Sequence, residues 1–255
     1  MKNKKRLDIM LVEKGFARSR ERARALILAG KVLVDHQPSE KPGTMVSGGQ
    51  DIVVKGQDIS YSSRGGLKLE GALHALDIDV EGLVCLDVGA STGGFTDCLL
   101  QHGVSRVFAV DVGYGQLAWR LRQDPRVTVI ERTNIRYMPA ETLPCPVDFV
   151  TVDVSFISLK IVVPAILKFM KKNGAVLALI KPQFEVGKGL VGKGGVVQDP
   201  ALHAEVVKDL SSFFEKIGFT DEKVIPSQFP GPKGNTEFFI LLRYSSPVLK
   251  INTNI

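Results

Sequence analysis

The sequence holds little that could staple or anchor it. Its three cysteines, Cys85, Cys98 and Cys145, are odd in number and show no metal-ligand spacing, so they read as reduced thiols and exclude a disulfide framework. The longest purely apolar run, Ala175 to Ile180, falls far short of the roughly 20 residues needed to cross a bilayer. The basic start, Met1 to Arg6, leads into a helix-periodic stretch with Asp8, Glu13 and Lys14, so no signal-peptide core is present and a cytoplasmic protein is expected. Net charge is absent from most of the chain. Residues 65–255 carry twenty basic and twenty acidic side chains, whereas residues 1–64 carry thirteen against seven, so the whole formal charge of +6 lies in the first quarter. A positive field concentrated in this way attracts polyanions, either nucleic acid or an anionic membrane surface.

What is there suffices for a full core and a small second unit: 255 residues, 44% of them apolar. The chain is organised around Val84-Cys85-Leu86-Asp87-Val88-Gly89-Ala90-Ser91-Thr92-Gly93-Gly94-Phe95, which reads as strand, tight turn and helix. Gly89, Gly93 and Gly94 let a ligand approach bare backbone, and the following helix offers unpaired N–H groups at its start. A dinucleotide fingerprint requires glycine where Ser91 stands, so pyrophosphate fits poorly. Asp87, just before the turn, suits an ammonium, and Asp111, closing the next strand, is placed to accept both hydroxyls of a ribose. Together they fit S-adenosylmethionine, with Gly89, Ser91, Gly93, Gly94 and Phe95 forming the turn. Asn134, after the third strand, either meets the adenine edge or is an ordinary turn residue. The bland alternative for the whole stretch is a turn that only joins strand to helix.

Leu7, Met10 and Leu11 open the chain with a short helix that Gly15 would end, and a second helix begins near Ser19 as N-cap. On its wheel Ala23, Leu26 and Ile27 form one apolar arc, flanked by Arg18 and Arg22 on one side and Arg20 and Arg24 on the other. Four arginines on a helix can be a plain solvated face; their spacing, the neighbouring Gly30-Lys31 turn and the localised charge favour an anion-binding one. Strands are expected over 31–34 and 51–55, separated by turn-rich 38–49. These residues carry a resemblance. Arg6-Leu-Asp, Ser19-Arg20 with Ala23, Ala29-Gly30-Lys31-Val32-x-Val34, Lys41-Pro42-Gly43 and Asp51-Ile52-x-Val54 resemble the RNA-binding domain first named from ribosomal protein S4, with Asp35-His36-Gln37 in place of its usual Val-Asn-Gly turn.

A short polar stretch, 56–63, then leads into a helix carrying Leu69, Leu73 and Leu76. From Val84 on, strands (84–87, 106–110, 127–130, 147–152, 175–180) alternate with helices (95–101, 116–122, 159–171 capped by Gly174), the pattern of a parallel sheet covered on both faces. Asp199-Pro200 starts a last helix to about Lys216, and 224–226 and 237–242 are the final strands. Asp153 and Lys181 stand at the carboxyl ends of apolar strands, where an ion is costly unless paired or used. They can be a structural pair; with Lys68 and Glu237 they can form a Lys, Asp, Lys, Glu set.

That set, with the Asp87–Thr96 turn, is similar to the FtsJ-type ribose 2′-O-methyltransferases. Joined to Ser63-Arg64-Gly65-Gly66, Asp153-Val-Ser-Phe-Ile-Ser158, Lys181-Pro-Gln-Phe-Glu185 and the S4-like start, it makes the chain resemble the TlyA family over Arg6 to Tyr244. The resemblance implies an α/β protein: a small α+β RNA-binding domain over 1–60, a linker over 61–66, a Rossmann-like methyltransferase domain over 67–245 and a tail over 246–255. Its sheet would be mostly parallel, with an antiparallel last strand and helices on both faces. It implies cytidine 2′-O-methylation of ribosomal RNA from S-adenosylmethionine, with ribosomal RNA or ribosomal subunits as partner. Lys68, Asp153, Lys181 and Glu237 would be the catalytic tetrad, Lys181 acting as base or as stabiliser of the developing oxyanion. The RNA-facing residues would be Arg6, Arg18, Arg20, Arg22, Arg24, Lys31 and Arg64, with Lys188 and Lys193 on a flap over 187–195 that is neither helix nor strand. Some members bear the older label hemolysin, so the competing reading is a non-enzymatic RNA-binding or membrane-active protein. Phe156 reads as core packing and Cys145, in Pro144-Cys145-Pro146, as an incidental thiol.

Overall fold

The structure, a computed structural model, describes residues 4–14, 16, 17, 19–35, 37–54, 61–192 and 194–244. Arg18, Lys193 and the tail over 246–255 lie outside the described residues, as do Gly15, 55–60 and the side chain of Lys188. The chain divides into two compact units, Met1–Ile59 and Ser60–Ile255.

The first unit runs β1 (Lys4–Arg6), α1 (Leu7–Glu13), α2 (Arg20–Leu28), β2 (Val32–Val34), β3 (Gln37–Pro38), β4 (Met45–Ser47) and β5 (Ile52–Val54). Ser19 caps α2, its Oγ accepting the Arg22 N–H at 3.2 Å, and the arc of Ala23, Leu26 and Ile27 is buried against Leu7, Met10 and Leu11 of α1. Strand β2 pairs antiparallel with β3 and β5, and β1 pairs with β4. The turn-rich stretch 38–49 thus contains strand residues that its composition hides, because pieces two or three residues long are set by their partners and not by periodicity. Asp8 is fully buried and receives Arg6 Nε and Nη2, each at 3.0 Å, and Arg20 Nη2 at 3.2 Å. The Arg6 guanidinium holds this carboxyl down to about 2 from an ordinary 3.8. A depressed folded-state value contributes stability that is complete above the unfolded value, so this contribution should be lost as pH falls from about 4 to about 2. Hydrogen exchange over residues 4–54 in acid should show it, and Asp8→Asn should remove that acid dependence.

The second unit runs α3 (Arg64–Ala75), β6 (Val84–Val88), α4 (Gly94–Gln101), β7 (Arg106–Val110), α5 (Trp119–Arg122), β8 (Val127–Ile130), β9 (Val147–Val152), α6 (Leu159–Ile166), β10 (Met170–Ile180), α7 (Pro182–Glu185), α8 (Pro200–Lys216), β11 (Phe219–Pro226) and β12 (Phe238–Tyr244). One seven-stranded sheet has the order β11-β12-β10-β9-β6-β7-β8. It is parallel from β10 to β8, and β12 is antiparallel to both β10 and β11. Alternation along the strands sorts the faces. Leu86, Val88, Val150, Val152, Val176 and Ile180 join the core under α6 and α8, while Asp87 and Thr151 turn towards α4. Among the described residues, no helix is long and apolar enough to cross a membrane.

Three expectations are corrected. The stretch 61–66 is no linker: Tyr61 is buried with its hydroxyl donating to Glu70 at 2.8 Å, Ser62 is bound to Asp97, and Ser63 caps a helix already begun at Arg64. The helix from Leu159 does not reach Lys171. It ends at Ile166, makes one 3-10 turn over Leu167–Phe169 and becomes strand at Met170, because pairing of Met170 with Val147 claims those residues for the sheet. Helix α5 starts at Trp119 and not at Gln116, since Ala118 is non-helical (φ −55°, ψ 137°) and stands as its N-cap.

Candidate active site

In an open parallel sheet, ligands bind outside the carboxyl ends of the strands where the connection order reverses. Here the chain leaves β6 for β7 and β8 on one side, then returns to β9 on the other. Gly89, Asp111, Asp153 and Lys181 each follow a strand at that end. Register supplies the fourth element: antiparallel β12 pairs Phe238 with Ile180, so Glu237 enters beside Lys181.

Two cavities meet at this edge. One, of about 450 Å³, is lined by Lys68, Asp153, Lys181 and Glu237 together with Arg64 and Phe95. Lys68 on α3 reaches Glu237 Oε2 at 2.5 Å, and Lys181 Nζ lies 2.6 Å from Asp153 Oδ1 and donates to Ser155 Oγ at 3.1 Å. Lys68 and Glu237 are buried, at 9% and 1% exposure, so each depends on the other for charge balance. The other cavity, of about 550 Å³, has apolar walls from Val110, Val112 and Ile135, with Asp111 and Asn134 at its polar edge. The cavities share Gly89, Ser91 and Asp153.

The turn after β6 is built for close approach. Gly89 has φ +85°, and a Cβ there would stand 2.4 Å from the Asp153 carbonyl oxygen. Ser91 occupies the place of the missing glycine by itself taking a left-handed φ of +48°. Its N–H donates to Asp111 Oδ2 at 2.8 Å, and Gly113 N–H donates to Oδ1 at 2.7 Å, which orients the Asp111 carboxylate and leaves further lone pairs facing the cavity. Asn134 also accepts the Arg136 N–H at 3.1 Å, so it stabilises its own turn.

Several expected site residues are elsewhere. Asp87 lines neither cavity; it is fully buried beneath the turn, receiving Thr96 Oγ1 at 2.6 Å and Thr151 Oγ1 at 3.0 Å, and burial pushes its carboxyl up to about 6. It therefore braces β6 against α4 and β9. Gly93 also lines neither cavity and packs on Leu117 and Leu121. Gly94 and Phe95 border the tetrad cavity only. The segment 187–195 contains a 3-10 turn, Lys188–Leu190, so it is not wholly irregular. Arg6, Arg20, Arg24 and Lys31 are exposed on the first unit and Arg22 is half-buried; Arg64 is exposed on α3.

Phe156 is the clearest correction. It is no core residue: it is 90% exposed, has φ +63°, and sets its ring 4.8 Å from that of Phe184. The polar groups of Ser155, Ser158 and Glu185 pin its loop, with Ser158 Oγ donating to Glu185 at 2.6 Å and the Leu159 N–H donating to the same carboxylate at 2.9 Å. The ring is therefore open to solvent at the rim of the apolar cavity, and one cue for its place lies in the sequence, where Phe156 sits three residues past Asp153. Gly231, which also lines the tetrad cavity, escaped sequence reasoning because it does not stand at the end of an apolar strand.

The profile of the FtsJ-like methyltransferases matches residues 61–244, and that of the S4 domain matches residues 5–52. The 16S/23S rRNA (cytidine-2′-O)-methyltransferase TlyA of Mycobacterium tuberculosis is 50% identical over 244 residues, covering 95% of this chain and 91% of the relative. Hemolysin A of Brachyspira hyodysenteriae is 41% identical over 234 residues, covering 91% of this chain and 97% of the relative. A solved structure described as a hemolysin from Streptococcus thermophilus superposes with a TM-score of 0.74 at 39% identity, covering 96% of this chain and 90% of that one.

Proposed function

This chain belongs to the TlyA family of FtsJ-like methyltransferases, and on that premise we propose that it methylates the 2′-hydroxyl of a cytidine ribose in ribosomal RNA, using S-adenosylmethionine. The observation that carries this is the junction of the two cavities at Gly89, Ser91 and Asp153: an apolar-walled space with an oriented acid adjoins one ringed by two lysine–carboxylate pairs. Ribosomal RNA as substrate makes the cytoplasm its place of work.

The larger cavity suits a nucleoside. Asp111 would accept the ribose hydroxyls, Val110, Val112 and Ile135 would flank the base, and Asn134 would meet its edge. S-adenosylmethionine supplies, when bound, a methyl group on a positively charged sulfur. Asp111→Ala should weaken its binding by about 1 to 3 kcal/mol, because the hydroxyls lose a charged acceptor. Calorimetry checks this, and melting measured alongside accounts for the two loop N–H groups that lose their partner.

A ribose hydroxyl is a weak nucleophile, so its proton must leave as the new oxygen–carbon bond forms. Lys181 meets that oxygen in this reading, either taking the proton or remaining cationic and stabilising the charge that develops. Asp153 orients Lys181, and Glu237 orients Lys68. The exposed ring of Phe156 offers a stacking face for the target base.

The first unit supplies RNA affinity through Arg6 and Arg20, which Asp8 holds from below, and through Arg22, Arg24 and Lys31. Neutralising Arg20 and Arg24 together should lower the salt dependence of ribosomal-subunit binding by about one phosphate contact each. An unchanged slope would assign those arginines to the protein surface alone.

Mapping of ribose methylation on ribosomal RNA, from cells with and without the protein, tests the whole assignment. A cytidine 2′-O-methyl group that depends on the protein is expected; its absence from both subunits would overturn it.

A further inference from the structure

Behind the tetrad, one buried amide joins two segments on which the catalytic groups depend. Asn235 is only 3% exposed. Its Oδ1 accepts the Val197 N–H at 3.1 Å, and its Nδ2 donates to the Gly195 carbonyl at 3.0 Å. Its own carbonyl accepts the Gly231 N–H at 2.9 Å. Val197 is held a second time, its carbonyl accepting from His203 Nε2 on α8 at 2.9 Å, and Lys233 Nζ donates to the Gly194 carbonyl at 2.7 Å. The glycine-rich stretch that leaves the site after α7 is thereby tied to the turn that delivers Glu237.

Gly231 connects this tie to the chemistry. A Cβ at Gly231 would lie 2.0 Å from Glu237 Oε1, so the turn backbone forms a wall against that carboxylate. Glu237 Oε1 is buried and has no hydrogen-bond partner. The carboxylate is therefore positioned by Lys68 on one oxygen and by the Gly231 backbone against the other. A shift of Gly231 frees Glu237 to rotate, and Lys68 moves with it.

We propose that Asn235 is a positioning residue for methyl transfer: it locks residues 194–197 to the Gly231 turn, so that Glu237 keeps Lys68 aligned beside the acceptor oxygen. This rests on the ribose-methylation reading above.

The test is single-turnover methylation of purified ribosomal subunits that lack the modification, by the full chain with S-adenosylmethionine, across a range of pH. Asn235→Ala should slow the step by about 10-fold to 100-fold, as expected for misalignment without loss of a reacting group. Cofactor affinity should stay as in the wild type, and the pH profile of the rate should change because Lys68 has lost its fixed partner. A purely structural Asn235 would lower the melting temperature and leave the rate and profile at saturating subunits unchanged, which would overturn the proposal. Gly231→Ala presses on the same carboxylate without touching the amide and should reproduce both the slowing and the altered profile. Should Asn235→Ala fail to fold, Asn235→Asp, which keeps the acceptor for the Val197 N–H and loses the donor to Gly195, takes its place, and a wild-type rate and profile there would also overturn the proposal. Ribose methylation absent in the wild type itself brings down the functional reading and this inference with it; activity in the wild type matched by both variants brings down the inference only.

Discussion

Lys181→Ala should slow single-turnover methyl transfer by about 100-fold to 10,000-fold while cofactor affinity changes little. The amine stands at the carboxyl end of β10 with Asp153 2.6 Å from its nitrogen, in the cavity that also holds Lys68 and Glu237. It lines the tetrad cavity and is absent from the apolar one, so its removal should spare the nucleoside contacts. Lys181→Arg separates the two roles open to it. An arginine stays cationic and cannot take a proton near neutral pH, yet it can stabilise an oxyanion where the geometry allows. If Lys181 is the base, arginine should be as inactive as alanine. If it is the electrostatic partner, arginine should recover part of the rate. A wild-type rate for Lys181→Ala would remove the residue from the chemistry.

Gly89→Ala should lower cofactor affinity and turnover together, by about 100-fold or more in kcat/KM. Two costs combine at this position. The left-handed φ of +85° disfavours any side chain by roughly 1 to 2 kcal/mol, and the new methyl group would stand 2.4 Å from the Asp153 carbonyl oxygen. Relief requires β6 and β9 to part at the point where both cavities meet, moving Asp153 away from Lys181. Calorimetry with S-adenosylmethionine and single-turnover rates on ribosomal subunits would measure the two losses separately. Normal affinity with normal turnover would mean that the turn is only a connector.

The strands at 106–110, 127–130 and 147–152, the Ser19 and Asp199 caps and the basic first quarter were all legible in the chain, because apolar periodicity, capping and charge are properties of neighbours in sequence. Three members of the proposed tetrad stood out as ions beside apolar strands, while Lys68 and the tetrad's role came from the family resemblance. Their pairing was not legible. Lys68 meets Glu237 across 169 residues only because antiparallel β12 enters at the carboxyl end of β10, in a register that local sequence does not encode. Asp87 and Phe156 show the same limit in opposite directions. An acid before a glycine-rich turn suggests a ligand contact, yet strand alternation points Asp87 down onto Thr96 and Thr151. A phenylalanine in an apolar-flanked loop suggests core, yet its positive φ turns the ring out to solvent beside Phe184. The sequence by itself determined most of the long strands and the helix caps, where the charge lies and which residue types could do the chemistry. Tertiary structure alone decided which lysine faces which carboxylate and which face of the sheet each side chain joins, since strand order and register arise from pairing between distant segments.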